Sequence, residues 1–159
     1  ALDDFNHAIE IGPDHAELFR VRGDTYYKLK KTDKALDDYA KALEMNPEDA
    51  ICYNNRGLIF HETGDFDRAL ENYSKAISID SSNPSFYENR ALVYLAKKEN
   101  ANAAEDYKKA LNLTSDQKAR EIIGQKIAGL TEGSVVKADS GKQDAAAASA
   151  KQGNEDSNR

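Results

Sequence analysis

Tryptophan is absent from this chain, cysteine occurs once, and proline and histidine occur three times each. Each shortage excludes something. A lone Cys52 closes no internal disulfide, and with no second thiol or histidine at ligand spacing there is no zinc motif. Cys52 instead reads as a small apolar packing group, of the kind a reducing compartment leaves as a free thiol. No apolar run approaches the roughly 18 residues a membrane span requires, and no basic-then-apolar leader opens the sequence. The formal charge of −6 leaves no basic surplus for a phosphate backbone. These absences predict neither membrane nor nucleic acid as partner, and a cytoplasmic location.

Catalytic signatures are missing as well. There is no Gly-rich phosphate cradle, no HExxH and no serine nucleophile elbow. His7, His15 and His61 occupy unrelated places in the pattern described below, so internal symmetry does not assemble them. The many carboxylates read as solvation of helix surfaces. The expectation is a chain without enzymatic activity, metal or cofactor. The sequons at Asn72 and Asn112 fall inside predicted helices and read as unused.

What the chain does have is a 34-residue period. Ala35, Ala69 and Ala103 recur at that spacing, as do Tyr39, Tyr73 and Tyr107, and Ala42, Ala76 and Ala110. One period earlier stand Ala1, Phe5 and Ala8. In the second unit, Tyr53, Gly57 and Phe60 share one side of a segment. Phe66, Ala69, Leu70, Tyr73, Ala76 and Ile77 then line a second, with helical rather than strand periodicity. Gly64 suits a left-handed stop between them, Asp65 suits an N-cap, and Pro84 suits a first helical turn. Each unit therefore reads as two helices in a hairpin. Small residues (Gly23, Gly57 and Ala91; Ala35, Ala69 and Ala103) let the helices approach, and aromatics fill the space beside them. One hairpin is too thin to bury its own apolar face, so stability must come from stacking neighbours.

This arrangement resembles the tetratricopeptide repeat family. The first repeat carries Phe19, Gly23, Tyr26, Ala35, Tyr39, Ala42 and Pro47. The second carries Tyr53, Gly57, Phe60, Ala69, Tyr73 and Ala76, with Ser81 in place of the closing proline. The third carries Tyr87, Ala91, Tyr94, Ala103, Tyr107 and Ala110, with Ser115 there. The half repeat keeps Ala1, Phe5, Ala8 and Pro13. The resemblance implies an all-α, right-handed α-α superhelix, a solenoid of helical hairpins over residues 1–130. Its parts are a half repeat at 1–15, full repeats at 16–49, 50–83 and 84–116, and a capping helix at 116–130. Residues 131–159, rich in Ala, Ser, Gly, Asp and Lys, read as a disordered tail. Because Ala1 falls where a second helix begins, the chain reads as a fragment of a longer protein.

The resemblance also implies a function: a scaffold that holds a partner peptide or helix in its concave groove. The groove positions it implies are Arg20, Asp24, Tyr27, Asn54, Asn55, Leu58, His61, Asn89 and Leu92. Lys28, Glu62, Ser85, Glu88 and Leu95 lie beside them. The family's carboxylate clamp for acidic C-terminal peptides maps poorly. Arg20 stands for the first lysine and Asn55 matches, but Asp24, Ser85 and Asn89 replace the other three groups. Alternatives are a structural spacer, a docking domain of a multidomain enzyme, and self-association. The last would use the truncated N-terminal helix, whose apolar side is Leu2, Phe5 and Ile9. One departure recurs: Arg22, Arg56 and Arg90 stand where the family usually has leucine. They read either as side chains that lie over apolar surface and reach acidic neighbours such as Asp38 and Asp106, or as a charged stripe for an acidic peptide.

Overall fold

The 34-residue period becomes a stack of helix pairs. The computed structural model describes residues 2–12 and 15–130, and it contains eight helices and no strand among them. They are α1 (Leu2–Ile11), α2 (Ala16–Lys28), α3 (Thr32–Met45), α4 (Ala50–Glu62), α5 (Phe66–Ile79), α6 (Pro84–Ala96) and α7 (Asn100–Leu113). The last, α8, covers 117–130. Expectations for Ala1, Pro13 and the tail from Thr131 lie outside the described residues. The molecule is an all-α repeat solenoid. Its tightest pairs are α2 with α3, α4 with α5, and α6 with α7, and the contacts α3–α4 and α5–α6 join successive hairpins.

The turn inside each hairpin is the same device three times. Lys30, Gly64 and Lys98, 34 residues apart, take positive φ angles of 58°, 80° and 62°. Around each, two backbone bonds close the helix end. The Lys31 amide reaches the Tyr26 carbonyl at 2.9 Å, Asp65 reaches Phe60 at 2.8 Å and Glu99 reaches Tyr94 at 2.8 Å. Lys30, Gly64 and Lys98 bond the carbonyls of Tyr27, His61 and Leu95. This is the Schellman closure, which satisfies orphan carbonyls through one left-handed residue. Helix starts are capped where the N-cap residue is Asp or Asn. Asp49 accepts from the Cys52 amide, Asp65 from Arg68 and Asn83 from Ser85, with Pro84 in the first turn of α6.

Between paired helices the small residues set the distance. A methyl added at Gly23 would lie 2.8 Å from the Tyr39 ring, and one at Gly57 would lie 2.8 Å from the Tyr73 ring. Tyr39, Tyr73 and Tyr107 are fully enclosed, together with Ala35, Ala42, Ala69, Ala76, Ala103 and Ala110. The core is consequently a series of aromatic discs, each held between a small residue on one helix and its neighbours on the next. At the end of the stack, Ile123 of α8 is buried with Tyr87, Ala91, Tyr107 and Ala110, and Ile127 and Leu130 pack alongside.

Candidate functional site

Helices α2, α4 and α6 lie side by side, and side chains cross between them. Asn89 on α6 donates its amide to Asn54 Oδ1 on α4 at 2.8 Å. Asn54 donates to Asn55 Oδ1 at 3.1 Å, and Asn55 donates to Asp24 Oδ1 on α2 at 2.9 Å. The Asp24 oxygen also accepts from the Tyr39 hydroxyl at 2.7 Å. A continuous polar chain therefore runs across three repeats and ends on a carboxylate. Its amides keep spare capacity: the second N–H of each amide and the Asn89 carbonyl have no partner among the described residues. Leu58 and Leu92 flank it at the register of Asp24, and Leu92 is exposed.

Arg20 is held by acids on three sides, at 3.4 Å from Glu17, 3.6 Å from Asp24 and 3.1 Å from Asp49. Its charge is neutralised inside the chain. Tyr27 donates its hydroxyl to Glu62 at 2.5 Å across α2 and α4. Burial and that bond push its phenol up to about 12. His61 meets the Phe66 ring at a tilt of 54°, 6.1 Å between centroids, at the mouth of the second hairpin. Glu88 approaches Lys126 of α8 at 3.9 Å. Of the nine groove positions, the structure thus links Arg20, Asp24, Asn54, Asn55 and Asn89 in one polar network. Tyr27 pairs separately with Glu62, His61 faces α5, and Leu58 and Leu92 supply apolar surface. Asn54 is the most enclosed of them, 9% exposed, and serves the network more than the surface.

Sequence reasoning missed the role of Tyr39 and Asp24 as the anchor of this chain. The signal was present, because Asp24 occupies the register of Leu58 and Leu92, opposite the recurring tyrosine. Where leucine replaces the acid, the buried hydroxyls of Tyr73 and Tyr107 have no partner among the described residues.

The recurring arginines lie elsewhere. Arg22 makes a two-pronged pair with Asp38, 2.7 Å on each prong, and its third nitrogen donates to Asn6 at 2.8 Å. Arg90 repeats this with Asp106, 2.8 Å on each prong, and with Ser74 at 3.0 Å. The bonded carboxylates raise both guanidinium pKa values further above their ordinary range. A continuous charged stripe is therefore absent, since Asp38 and Asp106 are 3% and 5% exposed and neutralise two of its three members.

Residues 23–64 and 57–98 each match the family model for the TPR repeat, and residues 84–117 match the one for the tetratricopeptide repeat. The chain belongs to the tetratricopeptide repeat family. No curated protein matches it. Solved structures of similar fold include MamA, at 26% identity and a TM-score of 0.67, over 70% of this chain and 66% of that one. The Arabidopsis OM64 TPR domain aligns at 28% identity and 0.66, over 72% and 94% of the two chains. The TPR2B domain of yeast Sti1, solved in a complex with pHsp70, aligns at 26% and 0.67, over 74% and 97%. The chain thus spans just under two thirds of the MamA chain it matches.

Proposed function

We propose that this tetratricopeptide array is an interaction scaffold whose α2–α4–α6 face holds an extended segment of a partner protein. The observation that carries the reading is the polar chain from Asn89 to Asp24, set beside Leu58 and Leu92. Amides with spare donors and acceptors suit a peptide backbone, and flanking leucines suit its apolar side chains. The Sti1 TPR2B complex supports the reading by analogy of fold. The ligand class differs from that of a carboxylate clamp. Arg20 is already neutralised, and Asp24, Asp49, Glu62 and Glu88 oppose a dianionic tail.

Peptides selected from a random displayed library against the wild-type protein provide the test. Asn55→Ala with Leu58→Ser should weaken the selected peptides about tenfold or more, as central interface residues do, while the far-UV circular dichroism stays unchanged. Selected peptides ending in two carboxylates, or undiminished binding to the double variant, would refute this reading.

A second reading is self-association through the α1 end, favoured by an apolar cleft of about 480 Å³ lined by Phe5, Leu18 and Val21. It requires a mass in sedimentation equilibrium that rises with concentration and returns to monomer in Phe5→Glu. A monomer at all concentrations removes it.

A further inference from the structure

The three recurring arginines form an internal comparison, and the middle one is incomplete. At the register of Asp38 and Asp106 the second repeat has Asn72. Asn72 gives one acceptor: its Oδ1 takes the Arg56 Nε proton at 2.7 Å. Its amide nitrogen turns away and donates to the Arg68 carbonyl at 2.8 Å. At the register of Asn6 and Ser74, which serve the third nitrogen of Arg22 and Arg90, stands Ala40. Both terminal nitrogens of Arg56 are consequently without an acceptor among the described residues. No carboxylate there neutralises the guanidinium, which rests against the Tyr53 ring, 5.3 Å from its centroid.

Arg56 opens into a cleft of about 470 Å³ lined also by Tyr53, Glu71, Asn72, Ser74 and Lys75. Ser74 Oγ accepts from Arg90, which leaves its own proton free to donate. Lys75 adds a second positive charge, and Glu71 opposes with one negative charge. Arg56 and Leu58, two residues apart on α4, face nearly opposite sides of it, about 160° apart around the axis. The cleft is therefore separate from the groove proposed above.

We infer that the Arg56 cleft receives a carboxylate side chain from an acidic segment of a protein partner, which completes the pairing that Asp38 and Asp106 supply in the neighbouring repeats. The two filled sites show the occupant's chemistry, a carboxylate accepting two bonds from one guanidinium. With the Arg56 Nε held by Asn72, the incoming carboxylate accepts from the two terminal nitrogens instead. Arg56 is fixed for this by Asn72 and by the Tyr53 ring, so little side-chain freedom remains to be lost on binding. The site does not depend on the groove reading, because the two share no residue named in either test.

The side-chain Nε–H signals of nitrogen-labelled protein test the inference, with Arg22 and Arg90 as references in the same spectrum and Arg56→Lys to assign the third. The probe is an end-blocked tetraglutamate peptide at constant ionic strength. The Arg56 signal should shift and saturate while those of Arg22 and Arg90 stay in place. Asn72→Asp supplies the missing carboxylate from within, so it should abolish the shift while the protein stays folded. A shift that survives in Asn72→Asp, or equal shifts in all three arginines, would overturn the site. No shift at millimolar peptide would do the same. A matched titration with inorganic phosphate decides the chemistry, because tighter binding of phosphate than of the peptide would overturn the carboxylate assignment.

Discussion

The recurring tyrosines show how one residue type takes its properties from its neighbours. Tyr39, Tyr73 and Tyr107 are equally enclosed, yet among the described residues only Tyr39 finds an acid, Asp24. Burial raises the phenol pKa of all three, and the Asp24 bond raises that of Tyr39 further. Burial likewise pushes the Cys52 thiol up to about 12, in keeping with its reading as a packing group. In each case the fold favours the neutral form, so the folded pKa lies above the unfolded one. Above the ordinary values of 9.0 for cysteine and 10.0 for tyrosine, the unfolded chain binds fewer protons than the folded one. Stability is therefore fully present below about pH 9 and falls as pH rises beyond it. Urea midpoints measured from pH 8 to 11 should decline steadily above pH 9, and a flat profile would contradict this account. Native Cys52 should also resist iodoacetamide at pH 8 and react once the chain is unfolded.

At the scale of the element, the hairpin turn is the most repeatable piece of the molecule and was only partly legible. Gly64 announced its left-handed place, because glycine takes that conformation without a Cβ penalty. Lys30 and Lys98 adopt the same conformation with nothing in their residue type to show it. Their place in the 34-residue register was the available signal. The two lysines carry backbone strain that Gly64 avoids, so Lys98→Gly should raise stability by about 1 kcal/mol and Gly64→Ala should lower it by a similar amount. Lys98 is exposed, so urea unfolding of the two variants reads chiefly the turn. A loss of stability in Lys98→Gly would refute the shared-turn account. Helix starts divide in the same way: Asp49, Asp65 and Asn83 cap as their types suggest, whereas His15, Lys31 and Glu99 begin helices without a side-chain cap. There the stacking of the hairpins, and not the cap, sets the boundary.

For the whole molecule, the sequence alone determined the architecture. A fixed period with small and aromatic residues at constant offsets leaves one economical way to bury the apolar faces, which is to stack hairpins. That argument needs only spacing, and spacing is visible in one dimension. The tertiary structure decided what the key polar side chains do, because partners such as Asp24 for Tyr39 and Asn54 for Asn89 lie 15 and 35 residues away, on other helices. Arg22, Arg56 and Arg90 look identical along the chain. Only the packing of α3, α5 and α7 against α2, α4 and α6 shows two of them neutralised by Asp38 and Asp106 and the third left with a single amide. Arg20 likewise looked like a groove cation until Asp49, at the start of α4, joined its helix neighbours Glu17 and Asp24 around it. Hydrophobic burial follows composition and period, whereas the fate of a charge depends on what stands within a few ångströms of it, and that distance is set by the fold.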